Sequence, residues 1–120
     1  MTTCGIDIIE IDRIKDSIEK YGQKFLETVY TAKEIEYCER KNVQKYQHYA
    51  ARFAAKEAIY KAVSNNIEIP RTWTDFEIIN EESGRPKVNL KINIQALKNI
   101  DISLSHCKQY AVANVVADWE

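Results

Sequence analysis

With 120 residues, the chain has room for one domain, spanning 1–120, around one modest core. Its 17 Lys and Arg nearly balance 18 Asp and Glu, so no overall field draws it to nucleic acid or a membrane surface, and any basic site has to be local. No apolar run approaches a membrane span, the first residues lack a basic-then-apolar leader, and Cys4, Cys38 and Cys107 show no paired spacing; these features point to the cytosol and to reduced thiols, and argue against a disulfide framework or a zinc site.

Gly5-Ile6-Asp7-Ile8-Ile9-Glu10-Ile11 predicts a strand. Alternation puts Ile6 and Ile8 on one face and Asp7, Ile9 and Ile11 on the other. Asp7 is then a carboxylate flanked by isoleucine, which needs a cation, a metal or several donors, unless it meets water at a strand end. Residues 12–21 predict an amphipathic helix with Ile11, Ile14, Ile18 and Tyr21 inward and Gly22 as C-cap. If that helix continued past Gly22, Arg13, Lys20 and Lys24 would cluster outside, diluted by Asp12, Asp16 and Glu19; a solvated face and a dock for an acidic partner are both open. Thr31-Ala32-Lys33-Glu34 has capping-box spacing and starts a helix to about Lys41, which Asn42 breaks.

Residues 43–63 predict a long helix, stopped by Ser64-Asn65-Asn66 because asparagine tolerates the left-handed conformation. Ala51, Ala55, Ala58, Ile59 and Ala62 form one stripe, small enough for very close packing. The other half carries Arg52, Lys56, Glu57, Tyr60 and Lys61, with Phe53 among them. Arg52 and Lys56, four apart, repel unless an anion lies between them, while Glu57 and Lys61 have the favourable spacing. A solvated face would account for this half, but Phe53 is poorly placed on one.

From Trp73 the period changes to strands: 73–79, a turn over 80–86 with Gly84 and Pro86, and a return over 87–92 form a hairpin. Residues 93–99 read as a short helix. Ile100, Ile102 and Leu104 share one strand face, with Ser103 and Ser105 on the other. Residues 110–119 form a last strand, small and apolar on both faces, which needs two covers; the long helix supplies one and a second subunit could supply the other. The fold class is α+β, an antiparallel sheet packed on one long central helix.

Asp7 and Glu57 sit on elements expected to pack together, and two carboxylates with open positions suit magnesium. Arg52, Lys56 and Lys61 around such an ion suit a polyphosphate. No Walker loop is present. Ser105, His106 and Cys107 are consecutive, so they cannot form a nucleophile-and-base pair among themselves. Cys107 reads as a small buried filler, and His48 has no motif around it.

Gly5-Ile6-Asp7-Ile8-Ile9-Glu10-Ile11, Ala51-Arg52-Phe53-Ala54-Ala55-Lys56-Glu57-Ala58 with Lys61-Ala62, Gly84-Arg85-Pro86, and Leu104-Ser105-His106 followed by Tyr110-Ala111-Val112-Ala113 together resemble the holo-acyl-carrier-protein synthases. These are the short trimeric 4′-phosphopantetheinyl transferases, and the resemblance covers nearly the whole chain. It implies transfer of phosphopantetheine from coenzyme A to a serine of acyl carrier protein, with release of 3′,5′-ADP. It implies magnesium held by Asp7 and Glu57, Lys61 at the diphosphate and Arg52 on a phosphate oxygen. Gly84, Arg85 and Pro86 would line the adenine end, with Ser105 and His106 near the nucleotide phosphates. Arg13 would meet the carrier's acidic helix, and active sites would lie between the subunits of a homotrimer. Glu57, through a water, is the first candidate to take the serine proton and His106 the second. Ser64-Asn65-Asn66 stands where members commonly carry glycines, which motivates an alternative: a nucleotide- or carrier-binding module of the same fold without transfer.

Overall fold

The computed structural model describes residues 1–66 and 72–120. Its elements run β1 (Thr2–Glu10), α1 (Ile11–Tyr21), α2 (Gln23–Val29), α3 (Ala32–Glu39), α4 (Lys45–Val63), β2 (Phe76–Asn80), β3 (Pro86–Leu90), β4 (Leu97–His106) and β5 (Tyr110–Trp119). Short 3-10 turns lie at Asn42–Gln44, Ser64–Asn66 and Trp73–Asp75. The strands β1, β5 and β4 form an antiparallel sheet in that order, with β5 in the middle, and β2 and β3 form a separate hairpin. None of the described helices is long and apolar enough to cross a membrane.

Local signals account for most boundaries. Gly22, at φ 59°, ends α1 and lets α2 start in a new direction, so Arg13 and Lys24 do not share one helix. The Thr31–Glu34 capping box opens α3 as the spacing predicts. Asn42 takes φ 54° at the break before α4. The stop after α4 works differently from the expectation: Ser64 stays helical and the chain tightens into a 3-10 turn, with no left-handed residue at Asn65. Residues 73–75 make a 3-10 turn before β2 begins.

The helix expected over 93–99 does not form. Ala96 sits at φ 68°, which no right-handed helix accommodates. Sheet pairing imposes that geometry, since Leu97 pairs with Trp119 and the Glu120 amide donates to the Ala96 carbonyl at 2.9 Å.

The alanine stripe packs on the sheet as predicted, with Ala51, Ala55, Ala58, Ile59 and Ala62 all buried. Inward residues Ala111, Ala113, Val115 and Ala117 of β5 lie beneath it. The closest approach is at Gly5 of β1: a Cβ there would lie 1.9 Å from the Ala58 carbonyl oxygen. Thr3, two residues before it on the same face, donates its hydroxyl to the Ala62 carbonyl at 2.7 Å and accepts from the Trp119 indole at 2.8 Å.

The Arg52 and Lys56 side of α4 is neither solvated nor open. Arg52 is 2% exposed and Lys56 0%, because α3 and the β2–β3 hairpin cover that side. Lys56 Nζ donates to Glu34 Oε1 at 2.8 Å, the Phe76 carbonyl at 2.6 Å and the Trp73 carbonyl at 3.1 Å. Glu34 Oε2 in turn accepts from the Ile78 amide at 2.8 Å. Burial lowers the Lys56 pKa, and the neighbouring Glu34 charge opposes that shift without cancelling it.

Gly5→Ala forces β1 away from α4 and is expected to lower stability by about 3 kcal/mol, at the upper end of overpacking costs. Urea unfolding followed by circular dichroism measures it, and a midpoint equal to the parent's would contradict the contact.

Candidate active site

The inward residues of β1 meet the last turns of α4 in sequence: Thr3 with Ala62, Gly5 with Ala58, and Asp7 with Lys61. Lys61 Nζ lies 3.2 Å from Asp7 Oδ1 and donates to the Ile6 carbonyl at 2.8 Å. Lys61 therefore reaches Asp7 on the neighbouring strand. The Asp7 side chain keeps 19% of its surface and Lys61 52%, so both remain reachable.

Asp7 and Glu57 line one open cleft of about 380 Å³ between β1, α1 and α4. Arg13 borders it, and Ile14, Phe25, Phe53 and Trp73 form its apolar wall. Phe53 and Trp73 stack at 4.7 Å between centroids. The odd position of Phe53 is thereby explained: it walls a cleft and does not face open water.

The donor chemistry suits a hard divalent ion. Two carboxylates face an open volume that leaves room for water and phosphate oxygens. The Lys61 ammonium already rests on Asp7 as a stand-in cation. No group of three or more His, Cys, Asp or Glu with metal-site geometry occurs among the described residues, so any ion here relies on those two side chains plus outside oxygens.

The remaining predicted residues gather elsewhere. Arg52 stacks over Tyr37 at 4.2 Å and donates from Nη2 to Asn80 Oδ1 at 2.5 Å. Asn80 Nδ2 donates to the Gly84 carbonyl at 2.9 Å. Arg85 grips both Asp101 carboxylate oxygens, at 2.8 and 2.7 Å, and Pro86 opens β3. His106 packs its ring 5.9 Å from that of His48, which lies one turn before Arg52 on α4. Ser105 points to the opposite sheet face from His106, beside Val112. One chain thus brings Asp7, Glu57, Lys61 and Arg13 together on one side of α4. On another, Arg52 is linked through Asn80 to Gly84 and has His48 between it and His106, while Arg85 is held at Asp101, on the sheet face that carries Ser105.

Lys56 belongs to neither group. Its three N–H bonds all go to protein acceptors, which leaves no donor for a phosphate. The spacing that suggested an anion between Arg52 and Lys56 is relieved instead by Asn80 and Glu34. Cys107 is exposed in the β4–β5 turn, and Cys38 is the buried filler. Glu34, Tyr37 and Asn80 were not singled out by sequence; the capping box flagged Glu34 as a cap but not as the partner of a lysine on another helix.

His48 has its pKa lowered to about 4, first by burial and then by the charges of Arg52, Lys41 and His106. The neutral ring is the folded form, so the unfolded chain binds the extra proton between the ordinary value of 6.5 and about 4.

A family model described as the 4'-phosphopantetheinyl transferase superfamily matches residues 3–115. The chain belongs to that superfamily. A holo-[acyl-carrier-protein] synthase of Ruminiclostridium cellulolyticum is 48% identical over 118 residues, 93% of this chain and 88% of that one. A holo-[acyl-carrier-protein] synthase of Solibacter usitatus is 41% identical over 120 residues, covering 95% of each chain. Among solved superfamily structures, the Bacillus anthracis holo-(acyl-carrier-protein) synthase in complex with CoA (3',5'-ADP) superposes with a TM-score of 0.81 at 34% identity, covering 98% of this chain and 96% of that one. The Helicobacter pylori holo-[acyl-carrier-protein] synthase in complex with coenzyme A gives 0.84 at 30% identity, covering 96% and 99%.

His48→Gln is expected to melt near the parent at pH 7 and to gain on it as pH falls from 6.5 toward 4, the window where the parent must protonate a disfavoured ring. Melting temperatures of both proteins at half-unit pH steps test this; a constant difference would mean that His48 is not held neutral.

Proposed function

We propose that the protein transfers 4′-phosphopantetheine from coenzyme A to a serine hydroxyl of an apo-acyl carrier protein in the cytoplasm, releasing 3′,5′-ADP. The observation that carries this reading is the convergence of Asp7, Glu57 and Lys61, with Arg13 bordering the same cleft, in a chain of this superfamily. The serine oxygen attacks the phosphorus that bears the pantetheine arm, and the phosphorus–oxygen bond to 3′,5′-ADP breaks. Asp7 and Glu57 would hold magnesium, which when bound neutralises diphosphate charge. Lys61, half-exposed on a flexible stem, can leave Asp7 for the diphosphate and offset charge on the departing oxygen.

Glu57, through a water, takes the serine proton. Glu57 lines the Asp7 cleft within one chain, whereas His106 stands with Arg52 on a different side of α4 and would reach that cleft only from a neighbouring copy. Arg13 meets an acidic surface of the carrier, and the apolar wall beside it receives the carrier's apolar side chains. Arg52, Gly84, Arg85, Pro86 and His106 hold the nucleotide end, with Ser105 added from the other sheet face.

Those two groups lie on different sides of α4, so a complete site draws on two copies. The outer sheet face supports this reading. Ile6 is 63% exposed and Ile8 64%, beside Tyr110, Val112 and Val116, a patch that a neighbouring copy would cover. A homotrimer with sites between subunits follows the family pattern.

Incubation with coenzyme A, magnesium and apo-carrier protein should make the carrier heavier by one phosphopantetheine in an intact-mass spectrum. No gain would overturn the reading; coenzyme A binding without gain would leave a binding module. Glu57→Gln should keep its circular dichroism spectrum and lose about 100-fold in kcat. Ile6→Lys should turn a species of three chain masses into a monomer by light scattering, and transfer should fall with it.

A further inference from the structure

We infer that Asn80 positions Arg52 and the Gly84-Arg85-Pro86 turn as one unit, and so sets affinity for the nucleotide end of coenzyme A without entering the transfer step. The inference rests on the proposed function above. Arg52 is buried, at 2% exposure, and its Nε has no hydrogen-bond partner. Tyr37 covers one face of the guanidinium. Among the described residues, the side-chain oxygen of Asn80 is the acceptor on that guanidinium, at 2.5 Å. Without it a buried cation would have no acceptor holding its direction.

The amide has a second end, and that end is also used. Nδ2 donates to the Gly84 carbonyl at 2.9 Å, so the carboxamide bridges α4 and the hairpin turn. Donor and acceptor are matched at each end, which fixes the side chain one way round. The clasp adds to two backbone bonds across the turn, from the Glu81 amide to the Arg85 carbonyl at 2.9 Å and from the Gly84 amide to the Glu81 carbonyl at 2.8 Å. Asn80 pairs with Pro86, which has no backbone N–H, and Gly84 stands at φ 90°. On its far side the turn is tied by Arg85 to Asp101.

The choice of a neutral acceptor matters. A carboxylate at position 80 would hold Arg52 equally well, but it would cancel the charge that an anionic ligand needs. Asparagine orients the cation and leaves its charge available. Arg52 also borders a cavity of about 360 Å³ with Lys33, Tyr37 and Arg40, where that charge would act.

This separates a ligand-directed role from a structural one. Asn80→Asp keeps the acceptor for Arg52 and loses the donor to the Gly84 carbonyl, the new ion pair with Arg52 offsetting that loss, and is expected to melt within a few degrees of the parent. It should nonetheless raise KM for coenzyme A about ten-fold, with kcat within about two-fold, because charge is lost at Arg52. In an Arg52→Ala background the same change should raise KM by clearly less than it does in the parent, the remainder being the share of the Gly84 turn. Asn80→Leu, which loses both bonds at similar volume, should raise KM by at least as much, and it carries the test if the aspartate variant does not fold. Initial rates by intact-mass assay and calorimetric titration of coenzyme A supply the numbers. A folded Asn80→Asp with the parent's KM, or changes that multiply in the double variant, would overturn the inference while the proposed function stands. A parent that neither transfers nor binds coenzyme A would overturn both.

Discussion

The fold depends on how close α4 comes to β1. At Gly5 only a hydrogen fits between the strand and the Ala58 carbonyl. The alanines on the helix make that approach possible from the other side. Once helix and strand are that close, Thr3 reaches the Ala62 carbonyl and Asp7 reaches Lys61. The carboxylate and the lysine are therefore placed by backbone contact, not by side-chain reach alone. Had the helix stood off by the width of a leucine, Asp7 would face an ammonium it could not touch.

A helix gripped on its sheet side still has another side, and here that side is covered too. Arg52 and Lys56 are buried because α3 and the β2–β3 hairpin fold over them. Each cation is satisfied in a different way. Lys56 meets a carboxylate and two carbonyls, which ties α3, α4 and β2 together. Among the described residues Arg52 meets a neutral amide and a ring, which leave its charge uncancelled. Two residues that look equivalent along the helix are thus met by a carboxylate in one case and by neutral groups in the other.

Legibility in the sequence followed the range of the forces involved. The capping box at Thr31, the alanine stripe and the strand over 110–119 are local patterns, and the structure keeps them, though the outer face of that strand also carries the polar Asn114 and Asp118. Ala96 could not be read, because its left-handed backbone comes from pairing with the chain's far end at Trp119 and Glu120. The burial of Arg52 and Lys56 was hidden for the same reason: their covers come from elsewhere in the chain. Of the candidate site, Asp7, Glu57 and Lys61 were legible as charged groups on elements bound to pack. Asn80 was not, since a polar residue near a hairpin turn carries no mark of the arginine it will meet.

The Asp7–Lys61 contact also bears on how a highly negative molecule would come in. A bare carboxylate at the mouth of a cleft repels polyphosphates from several ångströms away, and salt would be needed to mask it. Here the approaching anion meets a carboxylate already matched by an ammonium 3.2 Å away. Repulsion at Asp7 itself would then be weaker than at a bare carboxylate, and less would be left for salt to mask.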